Sequence, residues 1–236
     1  AIGVSGLTAL GAEVAWTRLL ALLLGGTVYT FSLILAVFLL GLGLGSGVGS
    51  ALARSITSPR RALGLCQLLV MAGVGWGAYS LAAVVPYWPI NPGLSAMPRF
   101  TFEVDLVRVL WVVLLPACAW GASFPLALAA IAPERRNLGH LVGGVYAANT
   151  LGAIVGAVLM SLALIPELGT RDAQRLLVAL AAGSALLLLV PGGSAAPARR
   201  SRVGAAVRVV VVLDAVIFLV RVLPATPALL IAYGRT

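Results

Sequence analysis

The stretch from Val28 to Ala53, VYTFSLILAVFLLGLGLGSGVGSALA, decides how the chain is built. It carries no charged residue, and it is apolar on every side. As a helix it extends about 39 Å, more than the ~30 Å hydrocarbon core of a bilayer. Working outward, similar apolar runs recur. One precedes it, from about Ile2 to Gly25, interrupted by Glu13 and Arg18. Others follow at about Ala62 to Val85, Val104 to Ile131, Leu138 to Ile165, Ala173 to Val190 and Ala205 to Leu223. The sequence therefore predicts an all-α, polytopic transmembrane helix bundle of about seven spans. A transmembrane β-barrel would need apolar/polar alternation over ~10-residue segments. The run from Ala179 to Val190 shows none, and helices satisfy their own backbone hydrogen bonds in lipid.

Composition agrees. Of 236 residues, 61% are hydrophobic and 10% charged, where an average soluble domain has ~25% charged. A soluble fold of this size needs far more polar surface. The net charge is +9, and all 16 basic residues are arginines. They lie in short connections and not on one basic face, and they show no basic-aromatic motif, so nucleic acid is not an expected partner. Cys66 and Cys118 lie in apolar runs without metal-ligand spacing and read as small buried hydrophobes. No metal or other cofactor is expected. A retinal Schiff base needs a lysine, which is absent, and the single histidine, His140, excludes bis-histidine haem ligation.

The arginines also predict orientation. The connections holding Arg54, Arg60 and Arg61, then Glu134, Arg135 and Arg136, then Arg199, Arg200, Arg202 and Arg208, contain one acid. The opposite set balances Arg99, Arg108, Arg171 and Arg175 with Glu103, Asp105, Glu167 and Asp172. Positive loops stay cytoplasmic. The N-terminus is therefore expected in the cytoplasm, in a multi-pass protein of a bacterial inner membrane. Tyr87 and Trp88, in the Pro-rich stretch Pro86–Pro92, suit the outer aromatic belt. The organisation expected is a six-span bundle over 1–190, a basic cytoplasmic linker over 191–204, and a seventh span with its lead-out over 205–236.

Gly41/Gly45/Gly49 and Gly152/Gly156 form small-xxx-small ridges, which permit close helix approach, within the bundle or with a protein partner or second copy. Val28-Tyr29 and Val145-Tyr146 each open a glycine-containing span followed by a polar cluster. That echo suggests a repeat of three spans plus three, the arrangement of half a transporter, with one span added.

Few residues can carry chemistry. Glu13 lies mid-span, where an ionisable group costs at least ~2.5 kcal/mol and marks a functional candidate. Arg18 is about 140° away around the helix and so on another face. Tyr29, Ser32, Tyr146, Asn149 and Thr150 complete the candidate ligand-binding set, with interhelical hydrogen bonding as the plainer role. Asp214 and Arg221 lie seven residues apart and form a candidate ion pair toward another helix or subunit. No catalytic set is visible.

The stretch from Ser5-Gly6-Leu7 through Glu13-Val14-Ala15-Trp16-Thr17-Arg18 and Gly26-Thr27-Val28-Tyr29-Thr30-Phe31-Ser32 to Phe38–Ser46 resembles the membrane domain of bacterial fused spermidine-synthase-like proteins. Phe124-Pro125 and Tyr146-Ala147-Ala148-Asn149-Thr150-Leu151-Gly152-Ala153 extend the resemblance. In that family, spans similar to part of a major-facilitator transporter precede a polyamine aminopropyltransferase-like domain. Leu230–Arg235 resembles the entry to that domain, whose strand and Gly-rich donor-binding loop do not occur in the chain. The resemblance implies a membrane anchor or an accessory subunit of a larger membrane complex. The alternative is a transporter or binding domain for a polyamine or related small cation, with Glu13 as counter-charge.

Overall fold

In a computed structural model the described residues are 1–88, 93, 97–131, 138–190, 199–225 and 227. Among them the chain is all helical. The elements are α1 (Ile2–Leu24), α2 (Val28–Ser55), α3 (Pro59–Tyr79), α4 (Pro98–Val109), α5 (Leu115–Ile131), α6 (Leu138–Leu159), α7 (Ile165–Leu189) and α8 (Arg199–Val222). Wide π-helical turns at Ser80–Val84, Leu110–Leu114 and Met160–Leu164 extend α3, join α4 to α5 and join α6 to α7. Each π-turn ends two residues before a proline: Pro86, Pro116 and Pro166. A proline ring cannot donate a hydrogen bond and crowds the carbonyl four residues back, so the preceding turn widens.

Five continuous helices are long and apolar enough to cross a membrane: Ile2–Leu24, Val28–Ser55, Pro59–Tyr87, Pro98–Ile131 and Gly139–Leu189. The fifth would extend about 76 Å if straight. It turns back at Gly169, with φ 80° and ψ 162° inside helical neighbours. That backbone region is open essentially to glycine alone. Contacts along α1 show the reversal. A side chain at Gly3 would meet Ala148, and one at Gly156 would meet Leu7, so α6 runs parallel to α1. By contrast, Gly11 faces Leu177 and Trp16 bonds to Gln174, so α7 runs antiparallel to it.

The closest helix approaches are made by the glycine ridges, on two interfaces. In the first, Gly152 meets Gly3, Asn149 meets Gly6 and Gly156 meets Leu7, joining α6 to α1. In the second, Gly45 meets Cys118, Leu42 meets Gly121 and Gly49 meets Ala122, joining α2 to α5. The spacing of these contacts along both helices is the same in the two interfaces. At Gly45 and Gly152 an added Cβ would overlap the backbone of the facing helix. The core lies among α1, α3, α5 and α7, around Trp16, Val70, Val74, Val113, Ala117, Leu177 and Val178. Outside it, α2 and α6 expose Leu39, Leu44, Leu151, Ile154 and Leu159, as helices facing lipid would.

The fourth helix starts earlier than its apolar run suggests. Pro98 occupies the first turn, where a missing N–H is harmless, and Arg99 pairs with Glu103 one turn on at 3.0 Å. Charges expected in a connection therefore belong to the helix. On the other side, Glu134, Arg135 and Arg136, residues 191–198 of the expected linker, Pro89–Pro92 and Leu230–Arg235 lie outside the described residues. α8 begins at Arg199, and its far end packs on α3 and α7: Leu219 fills the space beside Gly75, and Arg171 donates to the Leu223 carbonyl at 2.9 Å.

Candidate functional site

Helix α1 buries one side, with Ser5, Thr8, Ala12, Ala15, Trp16 and Leu19 facing inward. Glu13 sits on the flank of that face and is half-buried, while Arg18 is exposed. The ion pairs among the described residues are Arg99–Glu103, Arg108–Asp105 and Arg175–Asp172. None includes Glu13. A mid-span carboxyl group thus stands without an ion-pair partner among those residues.

The other candidates divide between the two ends of the bundle. Tyr29 opens α2, where α1 has just ended, and its ring lies 6.4 Å from Phe102 of α4. Ser32 follows on the exposed surface. Tyr146 meets Phe124 of α5 edge-on at 6.5 Å. Asn149 backs onto Gly6, and Thr150 is half-buried. Glu13 is seven residues beyond Gly6, about 10 Å along the helix axis. The tyrosines, Asn149 and Glu13 therefore occupy three depths and do not converge on one pocket. Asp214 and Arg221 are both exposed on α8.

A different polar group does converge, at the centre. Trp16 and Trp120 lie with ring centroids 5.7 Å apart, and Phe38 is 6.0 Å from Trp120. The two indoles donate to different helices. Trp16 Nε1 donates to Gln174 Oε1 at 3.0 Å, and Trp120 Nε1 donates to Thr8 Oγ1 at 3.1 Å. Thr8 in turn donates to the Ser5 carbonyl. On the facing side Gln67 Nε2 donates to Ser123 Oγ at 3.2 Å, and Cys66 Sγ donates to the Ala119 carbonyl. Trp16, Thr8, Gln67 and Ser123 are completely buried. Gly77 makes room for Trp16, since a Cβ there would come within 2.5 Å of the indole. Buried donors in hydrocarbon need partners, and these bonds fix the rotation of α1, α3, α5 and α7 about their axes. The arrangement holds helices in register; it offers no nucleophile with an adjacent base.

This centre lies outside the residues that charge and motif single out in the sequence. Its signal was present, since Gln67 and Gln174 are the chain's two glutamines and both fall in or beside apolar runs. The pairing of Asp105 with Arg108 is likewise not singled out. Their side chains are 8% exposed each and 3.4 Å apart, one turn apart on α4. Acid and base three residues apart are helical neighbours, a spacing that becomes visible once Pro98 is taken as the helix start.

Opposite the arginine-bearing end, Trp76 donates to the Trp111 carbonyl at 2.8 Å, and Trp88 packs edge-on to Trp111 at 6.0 Å. These three tryptophans form an aromatic cluster of the kind enriched at a membrane interface.

The chain is 28% identical over 165 residues to a polyamine aminopropyltransferase of Corynebacterium efficiens. The match covers 66% of this chain and 28% of that protein. The chain thus spans less than a third of the length of the curated relative it matches. No family model matches, and no solved structure does.

Proposed function

We propose that the chain is the integral membrane domain of a spermidine-synthase-like protein, acting as a membrane anchor or as an accessory subunit of a larger membrane complex. The observation that carries this reading is the partial match. It falls on a chain of apolar helices and on under a third of a protein named for aminopropyl transfer. That is the proportion expected of one domain in a fusion. In this reading the chain crosses the bacterial inner membrane about seven times, as two inverted sets of three plus α8, with its arginine-rich connections cytoplasmic. The matched interfaces of α1 with α6 and α2 with α5 support the repeat, because inverted repeats reproduce their helix contacts. The central hydrogen-bonded lock suits a holding role.

The test is the intact mass of the protein purified from its own cells, followed by activity in washed membranes. A mass well above the 24.1 kDa of this chain, with aminopropyl transfer sedimenting with the membranes, is expected. A 24.1 kDa protein without a co-purifying partner overturns the reading.

One observation favours a second reading. Glu13 is a mid-span carboxyl group outside every ion pair among the described residues, and a small cation such as a polyamine would neutralise it. Glu13→Gln should then weaken spermidine binding or uptake at least tenfold while leaving thermal stability intact. Unchanged binding in a folded variant removes this reading.

A further inference from the structure

We propose that the groove between α1, α3 and α7, at the end bearing Arg60, binds one anionic phospholipid. The groove has a volume of about 720 Å³ and is lined by Val4, Leu180, Gly183, Ser184 and Leu187, with Arg60 at its mouth. It runs along α7 from Val190 to Ala179. That is about 16 Å, the depth of one leaflet in a ~30 Å core. The groove is thus the length of an acyl chain and ends at a guanidinium.

Three features give the groove a polarity matched to such a lipid. Arg60 is exposed, stands beside the exposed Arg61, and is held in place by donating Nη2 to the Leu187 carbonyl at 3.1 Å. A guanidinium has five donors, so several remain for a phosphate. Basic pockets between membrane helices bind anionic headgroups in this way. Three residues deeper, about 4.5 Å along the helix, Ser184 lines the groove. It is 2% exposed, and its hydroxyl has no hydrogen-bond partner among the described residues. That is the depth of a glycerol ester carbonyl below a phosphate, with the hydroxyl oxygen itself shielded just behind the groove wall. Below it the wall is apolar. At Gly183 an added Cβ meets nothing within 4 Å, so the groove is open where a chain would lie.

The experiment uses the full-length protein in nanodiscs of mixed phosphatidylglycerol and phosphatidylcholine, released into native mass spectrometry. We expect one phosphatidylglycerol retained per chain, in clear preference to phosphatidylcholine. Arg60→Ala should reduce that preference about fivefold, the effect of one arginine near an anionic surface. Gly183→Leu should fill the groove and lower retention of both lipids, with no loss of melting temperature in lipid-free detergent. Should Arg60→Ala unfold, because Arg60 also caps α7, Gly183→Leu alone decides. Equal retention of the two lipids by the unaltered protein overturns the proposal. So does phosphatidylglycerol retention that Gly183→Leu leaves unchanged. Loss of a dimer in Gly183→Leu at constant lipid retention assigns the groove to a second copy and likewise overturns it.

Discussion

Gly45 and Gly47 lie half a turn apart on α2, and alanine at the two positions should have opposite effects. At Gly45 a Cβ would overlap the backbone of Cys118, coming within 2.7 Å of its Cα. Ordinary contact begins near 3.5 Å, and the Cys118 carbonyl oxygen lies nearer than its Cα, so α2 must withdraw by at least about 1 Å. At Gly47 a Cβ meets nothing within 4 Å. Both changes gain about 1 kcal/mol of helix propensity, which cancels in the comparison. The withdrawal does not cancel. Taking the packing along Gly41, Gly45 and Gly49 as comparable to one buried leucine, about 40 atom contacts of ~0.15 kcal/mol each, a gap of 0.5–1 Å forfeits a quarter to a half of each. The difference should therefore be about 1.5–3 kcal/mol. For a chain of this length that is roughly 3–12 °C in melting temperature. Thermal unfolding of the two single variants in the same detergent, followed by tryptophan fluorescence, measures it directly. Gly152→Ala, which overlaps Gly3 on the matching interface, should behave like Gly45→Ala. If Gly45→Ala melts level with or above Gly47→Ala, backbone approach at the ridge is not what holds α2 to α5.

Further outcomes follow from the buried polar groups and the reversal. Trp120→Phe and Thr8→Val should each destabilise the bundle, and their double-mutant cycle should give a coupling of about 0.6 kcal/mol, at most ~1.7, as for other hydrogen bonds between membrane helices; zero coupling removes the Trp120–Thr8 bond from the account. Asp105→Asn should destabilise the bundle, because it removes the carboxylate 3.4 Å from the buried Arg108 guanidinium. The double change to Leu at both positions should recover much of that loss, and the two can be ranked by urea or detergent unfolding. Gly169→Ala should destabilise by about 1–3 kcal/mol, since φ 80° strains a residue with a Cβ; a variant as stable as the parent would place the turn elsewhere.

Much of the architecture is legible in the chain because hydrocarbon imposes a simple requirement. A segment must be about 20 residues long and apolar, and it must satisfy its own backbone. The runs at Ile2, Val28 and Ala62 follow from that alone, and helices occupy all three. The start of the fourth helix was less legible. Arg99, Glu103, Asp105 and Arg108 look like a polar connection when counted as charges, and like a helix only when their mutual spacing is considered. The candidate site was least legible. Glu13 is conspicuous through charge alone, whereas Gln67, Thr8 and Ser123 carry none.

Run length and composition are enough to specify a bundle of helices long and apolar enough to cross a membrane, where most of them lie, and Glu13 as the anomalous acid among them. Tertiary structure decided which helices touch and which polar groups meet. In a chain apolar on every face the hydrophobic pattern cannot say which side turns inward, because lipid and protein interior are equally acceptable to a leucine. Contact is then chosen by shape. Gly45 admits the backbone of Cys118, Gly152 admits that of Gly3, and Gly77 admits the Trp16 indole. Hydrogen bonds such as Trp16–Gln174, between residues 158 positions apart, exist only once those approaches have been made.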